Sequence, residues 1–280
     1  MIRIVRLTDT EEFAESEEVQ RSAWGLKEAP VVPAHVMIAA QQHSGLVLGA
    51  YDGERMVGVL FGFSALERGK PYHYSHITGV LKEYQSQGVG FRLKLAQRQQ
   101  VIRRGQNLVR WTYDPLQANN AYFNIGKLGA VCETYKRDMY GSLDDSLNKG
   151  RLTDRFMVEW WVESRRVVEK IRGKRKPLTL ANVIAAGAEP ANVTERLKPG
   201  VRRAVASQLQ LKSERLLVEI PERIVRVREA SQRLATEWTS NLRRIFERYF
   251  PRGYVASDVI VEKYGGERRV FYLLEHGFRR

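Results

Sequence analysis

A chain of 280 residues, 43% hydrophobic and 28% charged, has globular composition and is long enough to bury a core without disulfide or metal staples. A single cysteine, Cys132, excludes an internal disulfide and a cysteine-rich zinc site. No apolar run approaches the roughly 18 residues of a membrane span, and Met1–Arg6 is too short and too charged for a signal peptide, so a cytoplasmic protein without membrane contact or bound metal is expected.

In chain order, Ile2–Leu7 alternates as a strand, and Thr8-Asp9-Thr10-Glu11 opens a helix that runs to about Trp24-Gly25. Pro30 and Pro33 break the chain before a second helix over Ala34–His43. Gly45–Tyr51 and Met56–Ala65 flank the turn signal Asp52-Gly53-Glu54-Arg55 and read as a β-hairpin, with Tyr72–Val80 as the next strand. After Gly90 a helix reaches Arg104-Gly105, with Val89, Leu93 and Ala96 on one face. Leu108–Thr112 is a strand, Ala118–Leu128 a short helix ended by Gly129, and Val131–Tyr135 and Arg155–Val162 two further strands.

The second half changes character. Residues 1–150 hold 18 Lys or Arg against 16 Asp or Glu, whereas residues 151–280 hold 28 against 16, which accounts for most of the net charge of +14. The sharpest run lies in Arg165–Lys176, with Arg151 and Arg155 just upstream, and residues 174–200 are rich in Ala, Pro, Gly and Asn. The expected organisation is therefore a domain over 1–165, a basic helix and linker over 166–200, and a smaller α+β module over 201–280. In that module Arg215–Ile220 is a strand, Glu222–Phe250 is helical, in one piece or two, and a hairpin turns at Tyr264-Gly265-Gly266-Glu267. Its β, α, β, β order repeats the β, α, α, β, β of residues 2–65, as a partial second copy would. A basic face of this kind suits nucleic acid, an acidic protein, an anionic metabolite or solvent alone.

The most informative segment is Val80-Leu81-Lys82-Glu83-Tyr84-Gln85-Ser86-Gln87-Gly88-Val89-Gly90, which joins a strand to a helix. At such a junction backbone N–H groups lack intrahelical acceptors and the helix dipole is positive, so a phosphate is the natural ligand. Gly88 and Gly90 permit close approach. The segment lacks the Gly-Lys-Ser/Thr of a P-loop and the three glycines of a dinucleotide fingerprint.

Gln85-x-x-Gly88-x-Gly90 after a strand, preceded by Val80-x-x-Glu83-Tyr84, resembles the acyl-CoA-binding motif of the GNAT acetyltransferases. Asn119–Ala130 resembles the family's later helix, with the spacing from Ala121 to Gly129 matched, and Trp111-Thr112-Tyr113-Asp114-Pro115-Leu116 resembles a bacterial branch of that superfamily. The resemblance implies a mixed, mostly antiparallel sheet flanked by helices. It also implies acetyl-CoA or another acyl-CoA as co-substrate, with the pyrophosphate on the backbone amides of Gln87, Gly88, Val89, Gly90 and Phe91 and Gln85 as a further cofactor contact. The pantetheine would lie along Thr78 and Val80, and Asn120 and Asn124 would make further cofactor contacts.

Ile125 stands where many members of that family carry a tyrosine general acid. Tyr122, one turn earlier, is the alternative proton donor, and His76 and Asp114 are candidate bases. Each also has a plainer reading: a core aromatic, a structural strand histidine, and a turn residue before Pro115. The expected activity is direct acyl transfer to an amine on a small molecule or protein; the basic second half is compatible with an anionic acceptor, and an oligomeric chain is compatible with this reading. A non-catalytic acyl-CoA-binding module with a basic docking surface is the alternative. A nucleic-acid binder is less well supported, because no helix-turn-helix, zinc finger or RNP-like motif is present.

Overall fold

The computed structural model describes residues 1–24, 31–141, 152–264 and 266–279. Gly25, Pro30, Arg151 and Gly265, read above as a helix end, a chain break, part of the basic run and part of a turn, lie outside the described residues. The chain divides into two compact units, Met1–Trp111 and Thr112–Arg280, which do not coincide with the segments expected from composition.

The first unit runs β1 (Arg3–Arg6), α1 (Thr10–Trp24), α2 (Ala34–Gln42), β2 (Leu46–Asp52), β3 (Arg55–Glu67), β4 (Lys70–Val80), α3 (Val89–Arg103) and β5 (Leu108–Tyr113). This is the order read from the sequence. The strands lie in the order β1-β2-β3-β4-β5, antiparallel except for the last pair. Helix α1 begins with a reciprocal cap: the Glu12 N–H donates to Asp9 Oδ1 at 2.9 Å, and the Thr8 N–H donates to Glu12 Oε2 at 2.6 Å. β2 and most of β3 are buried, as strands covered on both faces must be, and their core joins Leu7, Phe13, Met37, Leu60 and Leu93. Gly58 lets α3 settle on β3: a Cβ there would lie 3.3 Å from both Leu93 and Val89.

The second unit holds α4 (Ala118–Ala121), a π-helical turn (Tyr122–Lys127), β6 (Val131–Lys136), β7 (Arg155–Trp161), α5 (Arg165–Ile171), α6 (Leu180–Ala185), β8 (Glu189–Pro190), β9 (Asn192–Lys198), β10 (Val201–Ser207), β11 (Arg215–Ile220), α7 (Ile224–Ala230), α8 (Gln232–Tyr249), β12 (Tyr254–Tyr264) and β13 (Glu267–His276). Its strands are ordered β7-β6-β12-β13-β11-β8, with β9 and β10 forming a separate hairpin. β6 pairs with β12 at Cys132↔Ala256, which ties residues 131–136 to the C-terminal strands.

Helix α8 is capped by Ser231, whose Oγ accepts from the Leu234 N–H at 3.4 Å. It buries Trp238, Leu242, Ile245, Phe246 and Tyr249 at helical spacing, each worth about 1.5–3 kcal/mol of apolar burial. Phe246 meets Phe156 edge-on at 4.6 Å and Tyr272 at 5.8 Å.

Both units are α+β, as expected. Two local expectations are corrected. The helix expected over Ala118–Leu128 is α-helical only to Ala121 and then widens, the Leu128 N–H reaching Phe123 O at 2.9 Å. The stretch read as basic helix and linker, 166–200, carries α5, α6, β8 and β9. Asn192–Lys198 alternates like a strand and turns at Pro199-Gly200 to pair with β10, a long-range preference that the Ala- and Pro-rich composition masks.

The basic excess of this unit is partly structural. Arg243 bridges Asp154 and Asp138, Lys170 holds Asp258 at 2.8 Å, and Arg202 and Arg269 share the buried Glu219.

Candidate functional site

β4 is paired with β3 along its length, from Glu67↔Lys70 to Gly58↔Val80, but with β5 only at His73↔Val109 and Tyr74↔Arg110. Beyond Tyr74 the parallel ladder stops. Among the described residues, the β5-facing edge of Ser75–Val80 therefore has no strand partner, and Ser75 and Trp111 bound the apex of a fork. An unpaired strand edge is a row of N–H and C=O groups ready to pair with an extended ligand.

The same stretch continues into the glycine loop. The Leu81 N–H donates to Val57 O at 3.0 Å, a 3₁₀ turn covers Lys82–Tyr84, and α3 starts at Val89. The loop is braced against the β2–β3 turn: Arg55 pairs with Glu83 at 2.8 Å, and the Tyr84 hydroxyl donates to Asp52 Oδ2 at 3.2 Å. The side chains of Gln85 and Gln87 turn back onto the loop, their Nε2 groups donating to Val80 O at 3.1 Å and Glu83 O at 2.6 Å, which leaves the loop's backbone amides to face a ligand. Gly88 has φ +83°, in the left-handed region, and a Cβ built there meets nothing within 4 Å. Glycine is thus required by conformation, and the space in front of the loop is open. The helical ladder begins with the Arg92 N–H on Gly88 O at 3.0 Å, so the Val89 and Gly90 N–H groups have no acceptor one turn back. Thr78 and Val80 are half-buried on the strand that leads into this loop.

His76 sits where the β3–β4 register slips, Phe61 opposing Ile77 and Gly62 opposing Ser75. Such a bulge re-aims a side chain. Its ring meets Phe61 at 5.9 Å, Phe63 at 6.1 Å and Tyr74 at 6.3 Å. The residue is exposed, and the partial cover these rings give its imidazole lowers its pKa below the usual histidine value, which favours the neutral ring.

The other candidates lie in the second unit. Tyr122 is 46% exposed rather than core, at the start of the π turn, while Ile125 is fully buried. Asp114 is occupied twice: Oδ1 accepts from the Leu116 N–H at 2.9 Å, and Arg228 lies 3.5 Å from Oδ2. This is the turn role. Asn120 is exposed, whereas Asn124 is buried with its backbone carbonyl accepting from the Ala130 N–H at 3.1 Å. Cys132 is buried and its thiol pKa raised well above the ordinary value by burial, which disqualifies it as a nucleophile.

Sequence reasoning missed Lys94. It is buried on α3, with Nζ donating to Ser75 Oγ at 2.8 Å and to Gln97 Oε1 at 3.1 Å and lying 4.1 Å from the centre of the Trp111 ring. Burial lowers its pKa to about 7. His73 beside it is lowered to about 3, first by burial and then by the charges of Lys94 and Arg104. The buried face of α3 reads Val89, Leu93, Lys94, Gln97, Val101. Two polar residues at core spacing are the signal that was present.

No family model matches this chain, and no curated protein matches it. The solved structures to which the chain is similar include the following three acetyltransferases. The ribosomal-protein-S18-alanine N-acetyltransferase from Escherichia coli is 17% identical, over 59% of this chain and 96% of that one, with a TM-score of 0.46. Aminoglycoside 6'-acetyltransferase type Ii is 16% identical over 58% and 99%, with a TM-score of 0.45. An aminoglycoside acetyltransferase from an uncultured soil metagenomic sample is 21% identical over 44% and 84%, with a TM-score of 0.40. All three TM-scores lie below 0.5, and the functional reading rests on the strand edge and the loop.

Proposed function

We propose that this chain is an acyl-CoA-dependent N-acyltransferase that passes an acyl group directly to an amine. The observation that carries the reading is the continuity of Ser75–Phe91: an unpaired strand edge leading through a 3₁₀ turn and a short loop into a glycine-opened helix N-terminus. This combination suits a ligand that is extended and amide-bearing at one end and doubly phosphorylated at the other, and the resemblance of the same residues to the GNAT motif agrees with it. Bound acyl-CoA would supply the activated carbonyl as a thioester.

The chain's own residues supply the rest. The Val89 and Gly90 N–H groups hold the pyrophosphate, reinforced by the α3 dipole. The Ser75–Val80 edge fixes the pantetheine arm by main-chain hydrogen bonds. His76, exposed beside the Phe61, Phe63 and Tyr74 rings, takes the proton from the acceptor ammonium. Tyr122, exposed on the π turn, is the proposed proton donor to the departing thiolate. Positioning of the amine contributes the remainder of the rate. The acceptor is an amine on a small molecule or protein.

Release of free CoA thiol from an acyl-CoA, measured against a panel of amines, tests the reading. An amine-dependent signal that falls in a His76→Gln variant is expected. CoA binding without turnover for any amine would leave the non-catalytic alternative. A specific feature favours that alternative: a groove of about 620 Å³ between β10 and α8, lined by Arg203, Arg233 and Arg244, the last without a carboxylate partner among the described residues. It would serve as the docking surface for an acidic partner.

A further inference from the structure

The fork between β4 and β5 ends on a cation. Lys94 Nζ touches both of its sides, Ser75 on β4 and the Trp111 ring on β5, one residue beyond the last paired positions, Tyr74↔Arg110. Lys94 and Ser75 are each 3% exposed and Gln97 is fully buried. No carboxylate among the described residues lies within ion-pair distance of Lys94. Two of its three N–H donors are used, on Ser75 Oγ and Gln97 Oε1, while Gln97 Nε2 has no hydrogen-bond partner. The other titratable group at this place, His73, is neutral, and neither of its ring nitrogens has a partner. The apex therefore presents hydrogen-bond donors and a desolvated amine that has the Trp111 ring but no carboxylate among the described residues beside it, an arrangement that an arriving anion would favour in its charged form.

Geometry identifies what reaches this point. From Val80, beside the phosphate loop, back to Ser75 is five residue steps, about 16 Å at the rise of a β-strand. That is comparable with an extended pantetheine arm. A ligand with its pyrophosphate at the start of α3 and its arm along the β4 edge thus brings its acyl end to Ser75, Lys94 and Trp111.

We propose that the fork apex selects an acyl group that ends in a carboxylate, so that the donor is a dicarboxylic acyl-CoA of the malonyl or succinyl type rather than acetyl-CoA. This rests on the acyltransferase reading above. A methyl-ended acyl group leaves the ammonium unbalanced. A carboxylate accepts from Lys94 Nζ and Gln97 Nε2 in charge-assisted hydrogen bonds.

The test is equilibrium binding of CoA, acetyl-CoA, malonyl-CoA and succinyl-CoA to the full chain, followed by calorimetry and by tryptophan fluorescence, with Trp111→Phe identifying the signal from the fork. Malonyl- or succinyl-CoA is expected to bind about tenfold or more tightly than acetyl-CoA. In Lys94→Met this advantage falls to within about twofold, and Gln97→Met reduces it partially. The unmodified chain is decisive by itself should Lys94→Met fail to fold. If it binds CoA but takes acetyl-CoA as tightly as either dicarboxylic ester, the proposal is wrong and the acyltransferase reading stands. If CoA itself does not bind, both fall.

Discussion

Replacing Lys94 by Met removes a buried ammonium while keeping the length and most of the volume of the side chain. Its effect on stability follows from linkage. The lysine pKa is 10.5 in the open chain and about 7 in the folded state, the shift coming from burial. Below pH 7 both states carry the proton, and the native protein bears the full cost of a desolvated charge. Between pH 7 and 10.5 the unfolded chain binds the proton and the native chain does not, so stability rises with pH. At 1.36 kcal/mol per pKa unit the whole window is worth about 5 kcal/mol, and the part from pH 7 to 9.5 about 3 kcal/mol. His73, the nearest titratable neighbour, is neutral throughout and does not contribute. Tyrosine ionisation is common to both proteins and cancels in their difference. Urea unfolding of the two proteins at half-unit intervals from pH 6 to 9.5, read by far-ultraviolet circular dichroism, is the assay. The expected result is that wild type gains about 3 kcal/mol on Lys94→Met across that range. Parallel curves, with a difference constant to about 0.5 kcal/mol, would show that Lys94 is hydrated or already neutral, and the argument for an unbalanced charge at the fork would be refuted.

Gly88→Ala places a side chain at φ +83°, where about 1–2 kcal/mol of strain is expected; because a Cβ there meets no neighbour, the fold should survive while CoA affinity falls, as calorimetry would register. The lowered His76 pKa places the acid limb of kcat below the pH of an ordinary histidine; a limb at pH 6.5 or above, or one unchanged in His76→Gln, would remove His76 as base. Tyr122→Phe should lower turnover by roughly 10²-fold with little change in CoA affinity, read in single-turnover assays. Arg243→Ala strands the buried Asp154 carboxylate, which Arg243 and Tyr135 hold below its usual pKa against the opposing effect of burial. A loss of about 3–5 kcal/mol is expected, seen as a lower urea midpoint.

The sequence made some of this legible and hid the rest for identifiable reasons. Local signals carried the first unit: the acids after Thr8 cap α1, Asp52-Gly53 turns the β2–β3 hairpin, and Gly88 marks the entry to α3. What depended on partners distant in sequence was not visible. The end of the β4–β5 ladder at Tyr74 is a property of two strands more than thirty residues apart, and nothing in either strand announces it. The bulge that sets His76 beside the Phe61, Phe63 and Tyr74 rings is a slip in pairing, not a motif. Lys94 interrupts an apolar stripe and reads as surface until the Ser75 and Trp111 contacts show it enclosed. In the second unit the composition of residues 174–200 concealed β8 and β9, and the charge count concealed that Arg202, Arg243 and Arg269 are bound to buried carboxylates.

A crystal structure of the chain grown with CoA tests most directly whether Ser75–Phe91 is one binding surface for an acyl-CoA. The account predicts the pyrophosphate within hydrogen-bond distance of the Val89 and Gly90 amides, the pantetheine antiparallel or parallel to the free edge of β4, and the thiol near Ser75. CoA bound elsewhere, or a pantetheine arm that makes no main-chain hydrogen bond to Ser75–Val80, would contradict it.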